Sequence, residues 1–274
     1  MSKKNSRGRY LAYPYYLWSA LFIVVPFIMV VYYTFTNSAG IFTFSNITEL
    51  WRYKETFIIS FEYSIIATII CIILGYPTAY ILSRMKLRTQ SAFMLLIMLP
   101  MWMNFLIRTY SWITILSNKG LINSLLVMLG FDPVQLINTP GAVILGMVYN
   151  YLPYMILPIY SIMSKIDNSL IEAASDLGAS AFNRLKHVIL PLSLPGILSG
   201  ITMVFVPSVS TFYISQKLGG GKILLIGDAI EMQFQQSYNY NLGASLSLVL
   251  MIIILICIAV VNRFADNEDG GVII

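Results

Sequence analysis

Six long apolar runs, separated by polar connections, constrain this chain more than any other feature. They fall at about residues 15–35, 60–82, 92–115, 142–164, 192–213 and 243–262. A helix needs roughly 20 mostly apolar residues to cross the hydrocarbon of a bilayer, and every run qualifies. Lipid offers no water to the backbone, so each run must close its own N–H and C=O groups as a helix. Only 11% of the residues are charged, against about 25% in soluble domains, so a compact soluble enzyme is excluded as a class. The expected fold is all-α: a polytopic membrane protein of six transmembrane helices in one domain, residues 1–274. The first run follows Lys3, Lys4, Arg7 and Arg9. It is too long for a signal peptide and has no small-x-small cleavage site close behind, so it is read as a retained span.

An even number of spans puts both termini on one side. With the termini inside, the inner segments carry Lys3, Lys4, Arg7, Arg9, Arg84, Lys86, Arg88, Lys165, Arg184, Lys186 and Arg263. The outer ones carry Arg52, Lys54, Lys119, Lys217 and Lys222, with Arg108 near the outer end of span three. Eleven against six satisfies the positive-inside rule and makes both termini cytoplasmic, in a cell (plasma or inner) membrane with lipid as partner. The acidic tail from Ala265 is expected to be disordered.

The spans are not plain anchors. Pro77, Pro100, Pro153, Pro158, Pro195 and Pro207 interrupt them, as helices of a packed bundle lining a cavity allow. Polar and aromatic residues gather in the middle spans: Trp102, Asn104 and Tyr110 in span three, Tyr149, Asn150 and Tyr154 in span four, Ser208, Thr211 and Tyr213 in span five. These are the candidate pathway residues. An indole face attracts cations and an amide offers hydrogen bonds. Interhelical packing explains the same residues about as well. Arg108 lies where an arginine would snorkel to the outer interface; it, Asp228 and Glu231 are candidates for an outer gate or for contact with an external protein. Glu62 suits the positive end of the helix that opens span two.

Other chemistry is thin. One histidine, His187, rules out a multi-histidine metal site, and Cys71 and Cys257 fall in apolar runs, so no metal is expected. Gly219-Gly220-Gly221-Lys222 lacks the spacing and the Ser/Thr of a phosphate loop. No catalytic set is apparent, and neither nucleotide nor nucleic acid should bind this chain.

Between spans four and five runs the longest amphipathic, charge-bearing segment. Ser169 followed by Glu172 reads as a capping box. Leu170, Ala174, Leu177, Ala181, Leu185 and Val188 recur at helical steps, and Gly178 marks a bend. An amphipathic helix lying on lipid usually carries Lys and Arg on its polar face, whereas this one leads with Glu172 and Asp176. Glu172-Ala173-Ala174, Gly178, Val188 and Leu190-Pro191 stand at the spacing of the EAA motif and resemble ABC importer permeases, with Val188 where isoleucine is usual. The resemblance extends over nearly the whole chain to spermidine/putrescine permeases of the PotB type, through Pro100–Tyr110, Leu116–Asn123, Gly146–Pro153, Asp176–Ser180, Phe212-Tyr213 and Leu224–Gly227.

That resemblance implies a type I ABC importer bundle. Loop 167–188 would be the coupling helix, with Glu172, Ala173, Ala174, Asp176, Gly178, Leu190 and Pro191 meeting a cytoplasmic ATPase. It implies a second, PotC-like permease subunit, two copies of the ATPase and an extracytoplasmic polyamine-binding protein. ATP and Mg would sit on the ATPase and no cofactor on this chain. Absence of acid at mid-membrane suggests a weak transit route, with the real affinity in another subunit. Alternatives are a permease of the same fold for another small substrate, or a secondary transporter. The latter needs intramembrane ionisable groups, which the deep spans lack.

Overall fold

The computed structural model describes residues 13–269, with side chains as far as Arg263. Lys3, Lys4, Arg7 and Arg9 lie outside the described residues. The helices are α1 (Tyr13–Thr34), α2 (Lys54–Ser83), α3 (Leu87–Trp102), α4 (Phe105–Leu116), α5 (Leu121–Met128) and α6 (Pro140–Met163). They continue as α7 (Asn168–Asp176), α8 (Ala181–Val209), α9 (Tyr213–Leu218), α10 (Ile226–Gln235) and α11 (Tyr240–Asp269). Among the described residues there is no strand, only an isolated Thr36–Phe42 bridge. α1, α6, α8, α11 and the helical stretch Ser45–Ser83, which ends in α2, are long and apolar enough to cross a membrane. A sixth crossing requires α3 and the helices after it to count as one span.

That span differs from the single helix expected at 92–115. The chain bends by 92° between Trp102 and Phe105. Met103 is extended, and Asn104 caps α4 by accepting the Leu106 N–H at 2.8 Å. Two further expectations change. Glu62 is exposed in the interior of α2, two turns past its start, and so is not at a helix N-terminus. The tail taken as disordered from Ala265 continues α11 as far as Asp269; residues 270–274 lie outside the described ones.

The chain forms two compact units. One comprises residues up to Lys54 with Ala229–Ile253, the other Glu55–Asp228 with residues from Ile254 on. In the first, the C-terminal carbonyls of α1, orphaned as at any helix end, find two asparagine amides. Asn46 donates to Thr34 O and Thr36 O at 3.0 and 2.8 Å, and Asn241 donates to Tyr33 O and Thr36 O at 3.0 and 2.6 Å.

The second unit is built on α6, which packs along α8. Helix association in lipid rests on close van der Waals contact, because lipid tails are as apolar as leucine. Small residues provide that closeness. α2 buries Ser60, Ser64, Ala67, Cys71, Gly75 and Ala79 on one face, and its hydroxyls bond back to carbonyls four residues earlier at 2.7 Å. Gly196 of α8 sits so close to α6 that a Cβ there would come within 2.9 Å of the Pro158 carbonyl. Met147, Met155, Ile159 and Met163 of α6 are fully buried.

Two π-turns share a cause. Ala20–Val24 precedes Pro26, and Leu185–Ile189 precedes Pro191. Proline has no N–H and its ring crowds the carbonyl four residues back; a wider turn ahead of it relieves both.

Candidate functional site

The elbow between α6 and α8 is assembled from local hydrogen bonds. Asp167, not Ser169, is the N-cap of α7: its carboxylate accepts the Ser169 N–H at 2.9 Å. Ser169 therefore lies inside the helix, and the Ser169/Glu172 capping box does not form. The bonds from Ser169 hold the Asp167 carboxyl below the usual carboxylate range. At the other end, Ala179 N–H reaches Ala174 O at 3.0 Å and Gly178 N–H reaches Ser175 O at 2.9 Å. With Gly178 at φ +79°, this is a Schellman motif. Ser180 then caps α8, accepting the Asn183 N–H at 3.3 Å. The apolar positions from Leu170 to Val188, expected on one helical face bent at Gly178, thus fall on two helices, α7 and α8, joined there.

Glu172, Ala173 and Asp176 are exposed, as are Leu190 and Pro191 beyond the π-turn. Around them stand uncovered apolar side chains, Leu177 at 89% exposure and Phe182 at 69%. Two arginines tie the elbow down: Arg84, from the α2–α3 turn, donates to Asn168, and Arg184 of α8 donates to Ser175. The elbow is therefore anchored on its inner side and open on its acidic, apolar outer side. A cavity of 410 Å³ lies next to it, between Tyr76, Pro77 and Tyr80 of α2 and Ala181, Phe182 and Leu185 of α8.

A second cavity, of 380 Å³, is lined by Phe105, Leu106, Tyr151, Pro207, Ser210, Thr211, Phe212 and Tyr213. It exists because α8 ends at Val209 and the chain turns into α9 across the start of α4. Rings continue from its wall: Phe105 to Tyr213 at 5.8 Å between centroids, Tyr213 to Tyr110 at 6.4 Å. Tyr151 donates its hydroxyl to Pro207 O at 3.3 Å.

Of the pathway candidates, Thr211 and Tyr213 line this cavity and Tyr110 adjoins it. The others lie elsewhere. Trp102 is 73% exposed at the α3 end, and the Asn104 amide oxygen is committed to capping α4. Asn150 is buried with its amide N–H on Gly146 O at 2.8 Å, and Ser208 is buried with its hydroxyl on Val204 O at 2.7 Å. Tyr149 packs edge-on against Trp112 at 5.3 Å, and Tyr154 lies 6.5 Å from Tyr151, half exposed.

Arg108 does not snorkel. It is 9% exposed in the first turn of α4, with its guanidinium 5.9 Å from the Phe105 ring centre. The chain break moves it from the end of a long span to the start of a new helix. Its Nε and one Nη are buried without a hydrogen-bond partner among the described residues. Asp228, a candidate for an outer gate or for contact with an external protein, is instead 2% exposed and accepts the Leu225 N–H at 2.8 Å. Glu231 is half-buried in α10. Phe105, Tyr151 and Phe212 were missed as lining residues. Tyr151 and Tyr154 stand three apart on one helical face, which was the available signal.

Residues 72–272 match the family of binding-protein-dependent transport system inner membrane components. The chain belongs to that family. Two relatives are each named "Spermidine/putrescine transport system permease protein PotB". That of Haemophilus influenzae is 40% identical over 79% of both chains. That of Escherichia coli is 39% identical over 79% of this chain and 82% of the relative. In fold, the chain is similar to a solved bacterial ABC transporter involved in the import of the acidic polysaccharide alginate. There the TM-score is 0.79 at 16% identity, over 97% of this chain and 96% of the other. Family membership and the apolar helices together make this a multi-pass membrane protein with an ABC importer permease fold. Both the elbow and the ring-lined cavity fall inside the family match.

Proposed function

We propose that this chain is the permease subunit of an ATP-driven importer of polyamines, supplying half of a translocation pathway and receiving work through the elbow. The observation that carries the reading is the elbow itself. Glu172, Ala173 and Asp176 project outward from a rigidly capped helix whose inner side is pinned by Arg84 and Arg184. Exposed Leu177 and Phe182 beside those acids make a surface suited to a protein groove rather than to water. A cytoplasmic ATPase, in two copies and carrying ATP and Mg, is the partner this surface fits. Glu172 would face one of its basic groups, and Ala173 and Ala174 would permit close approach.

The remaining partners are a second, PotC-like permease subunit and an extracytoplasmic polyamine-binding protein. Both termini lie in the cytoplasm, which puts the elbow inside and the ring-lined cavity toward the outer side. The polyamine cargo is supported by the names of the two relatives and by the cavity's chemistry. Its aromatic faces attract ammonium groups, and Ser210 and Thr211 bring hydroxyls. No carboxylate lines it, which suits weak, passing contact.

Glu172→Lys should remove at least nine-tenths of ATP-dependent putrescine uptake into proteoliposomes holding the full assembly, while membrane insertion stays intact. Uptake at the wild-type rate would contradict the coupling assignment.

A further inference from the structure

The ring system beside the cavity already holds an ammonium. Lys217 Nζ lies 5.7 Å from the Tyr110 ring centre and 5.6 Å from that of Tyr213, and the two rings stand at 77° to one another. Among the described residues, its close cation–π partners are these two tyrosines, and the ammonium also hydrogen-bonds with the Tyr110 hydroxyl, a bond any primary ammonium can make in its place. A lysine side chain is a four-carbon chain ending in a primary ammonium, the same chemical group as one end of putrescine or the aminobutyl arm of spermidine. Tyr213 is also part of the cavity wall. The ammonium-binding pair and the space beside it therefore share a ring.

We propose that Lys217 is a tethered occupant of a primary-ammonium site formed by Tyr110 and Tyr213, and that an incoming alkylammonium takes its place. This rests on the polyamine reading for the identity of the cargo, but not for the existence of the site. Several features make the exchange physically reasonable. Lys217 and Tyr213 are four residues apart on α9, so the ammonium is presented to its own helix neighbour at high effective concentration. Tyr110 is half exposed, so the pair can be reached from outside. Replacing one ammonium by another preserves the attraction to both rings, and the displaced lysine regains its hydration. A neutral or anionic solute offers no such replacement. The tether thus selects for cations and keeps the rings occupied when cargo is absent. Arg108, buried over Phe105 on the next ring, adds positive charge nearby. That charge favours brief occupancy over tight binding.

The probe is n-butylammonium, followed by saturation-transfer NMR on the purified assembly in nanodiscs without the binding protein. Removing the competitor in Lys217→Met should tighten its binding about three- to tenfold, the scale of a two-ring cation–π contact. Lys217→Arg, which keeps a cation on the rings, should bind as wild type does. Adding Tyr213→Ala to Lys217→Met should abolish the gain. Equal or weaker binding to Lys217→Met, in an assembly that purifies intact, overturns the proposal, as does absence of saturation transfer in both proteins. Uptake of labelled putrescine by the wild-type assembly is scored separately. Its absence would sink the polyamine reading and leave the ammonium-site result to stand or fall alone.

Discussion

Gly178 holds the elbow's reversal in a left-handed backbone position, φ +79°, with open space where a Cβ would go. Substitution there meets no clash, so the cost is conformational alone, about 1–2 kcal/mol for a residue with a Cβ. Gly178→Ala should accordingly loosen the α7–α8 turn and raise its rate of cleavage in limited proteolysis, with Gly178→Asn affected less because asparagine tolerates this region. Asp167 makes a pH prediction. Its carboxyl is held low by the bonds from Ser169, so the cap is complete above the ordinary carboxylate pKa and is lost only as pH falls through the lowered one. Hydrogen exchange at the Ser169 amide, corrected for intrinsic rate, should be the same at pH 8 and pH 5, and faster in Asp167→Ala. Protection that disappears by pH 5 would contradict the capping role. The sequence pointed to Ser169 because Asp167, Asn168 and Ser169 are three successive residues able to cap, and spacing to Glu172 favoured the wrong one. The glycine was legible because only it occupies such a position at little cost.

Elements were readable where lipid dictates them and obscure where hydropathy runs unbroken through a change of direction. Pro140–Met163 and the apolar part of α11, Tyr240–Arg263, follow from length and apolarity alone, whereas the polar turn that carries α11 on to Asp269 does not. The break at Met103 does not, since Pro100-Met101-Trp102-Met103 is as apolar as the helices on either side and only Asn104 hints at a cap. Arg108, Trp102 and Asn104 were misplaced together for that reason. The candidate residues in α6, Tyr149, Asn150 and Tyr154, all fall outside the cavity lining because a list of polar residues ignores helical facing. Tyr151 reaches the cavity, whereas Asn150, one residue earlier, turns into the core. The α6–α8 contact offers a sharp test. A Cβ on Gly196 would meet Pro158 O at 2.9 Å and Ile159 Cα at 3.0 Å, both backbone atoms that cannot step aside. Gly196→Ala should therefore destabilise the bundle by about 1–3 kcal/mol, seen as a lower melting temperature of the purified assembly. An unchanged melt would show that α6 and α8 do not pack this closely.

At the scale of the molecule, the second unit reads as a mechanical part. α6 and α8 pack along their lengths, and the elbow joins their ends through capped helices and two arginine ties rather than through a slack loop. Under the proposed function, force applied to α7 would reach two spans at once, and the prolines inside α2, α6 and α8 are where those spans would yield. All of this requires the elbow to face the compartment that holds the ATPase. Leu177, 89% exposed at the tip, reports on that directly. In a background with Cys71 and Cys257 replaced by serine, Leu177→Cys is treated in cells with a membrane-impermeant maleimide. No labelling is expected until the membrane is opened, and labelling should then fall when the ATPase subunits are bound. Labelling of Cys-substituted 177 in sealed cells would place the elbow outside and contradict the account.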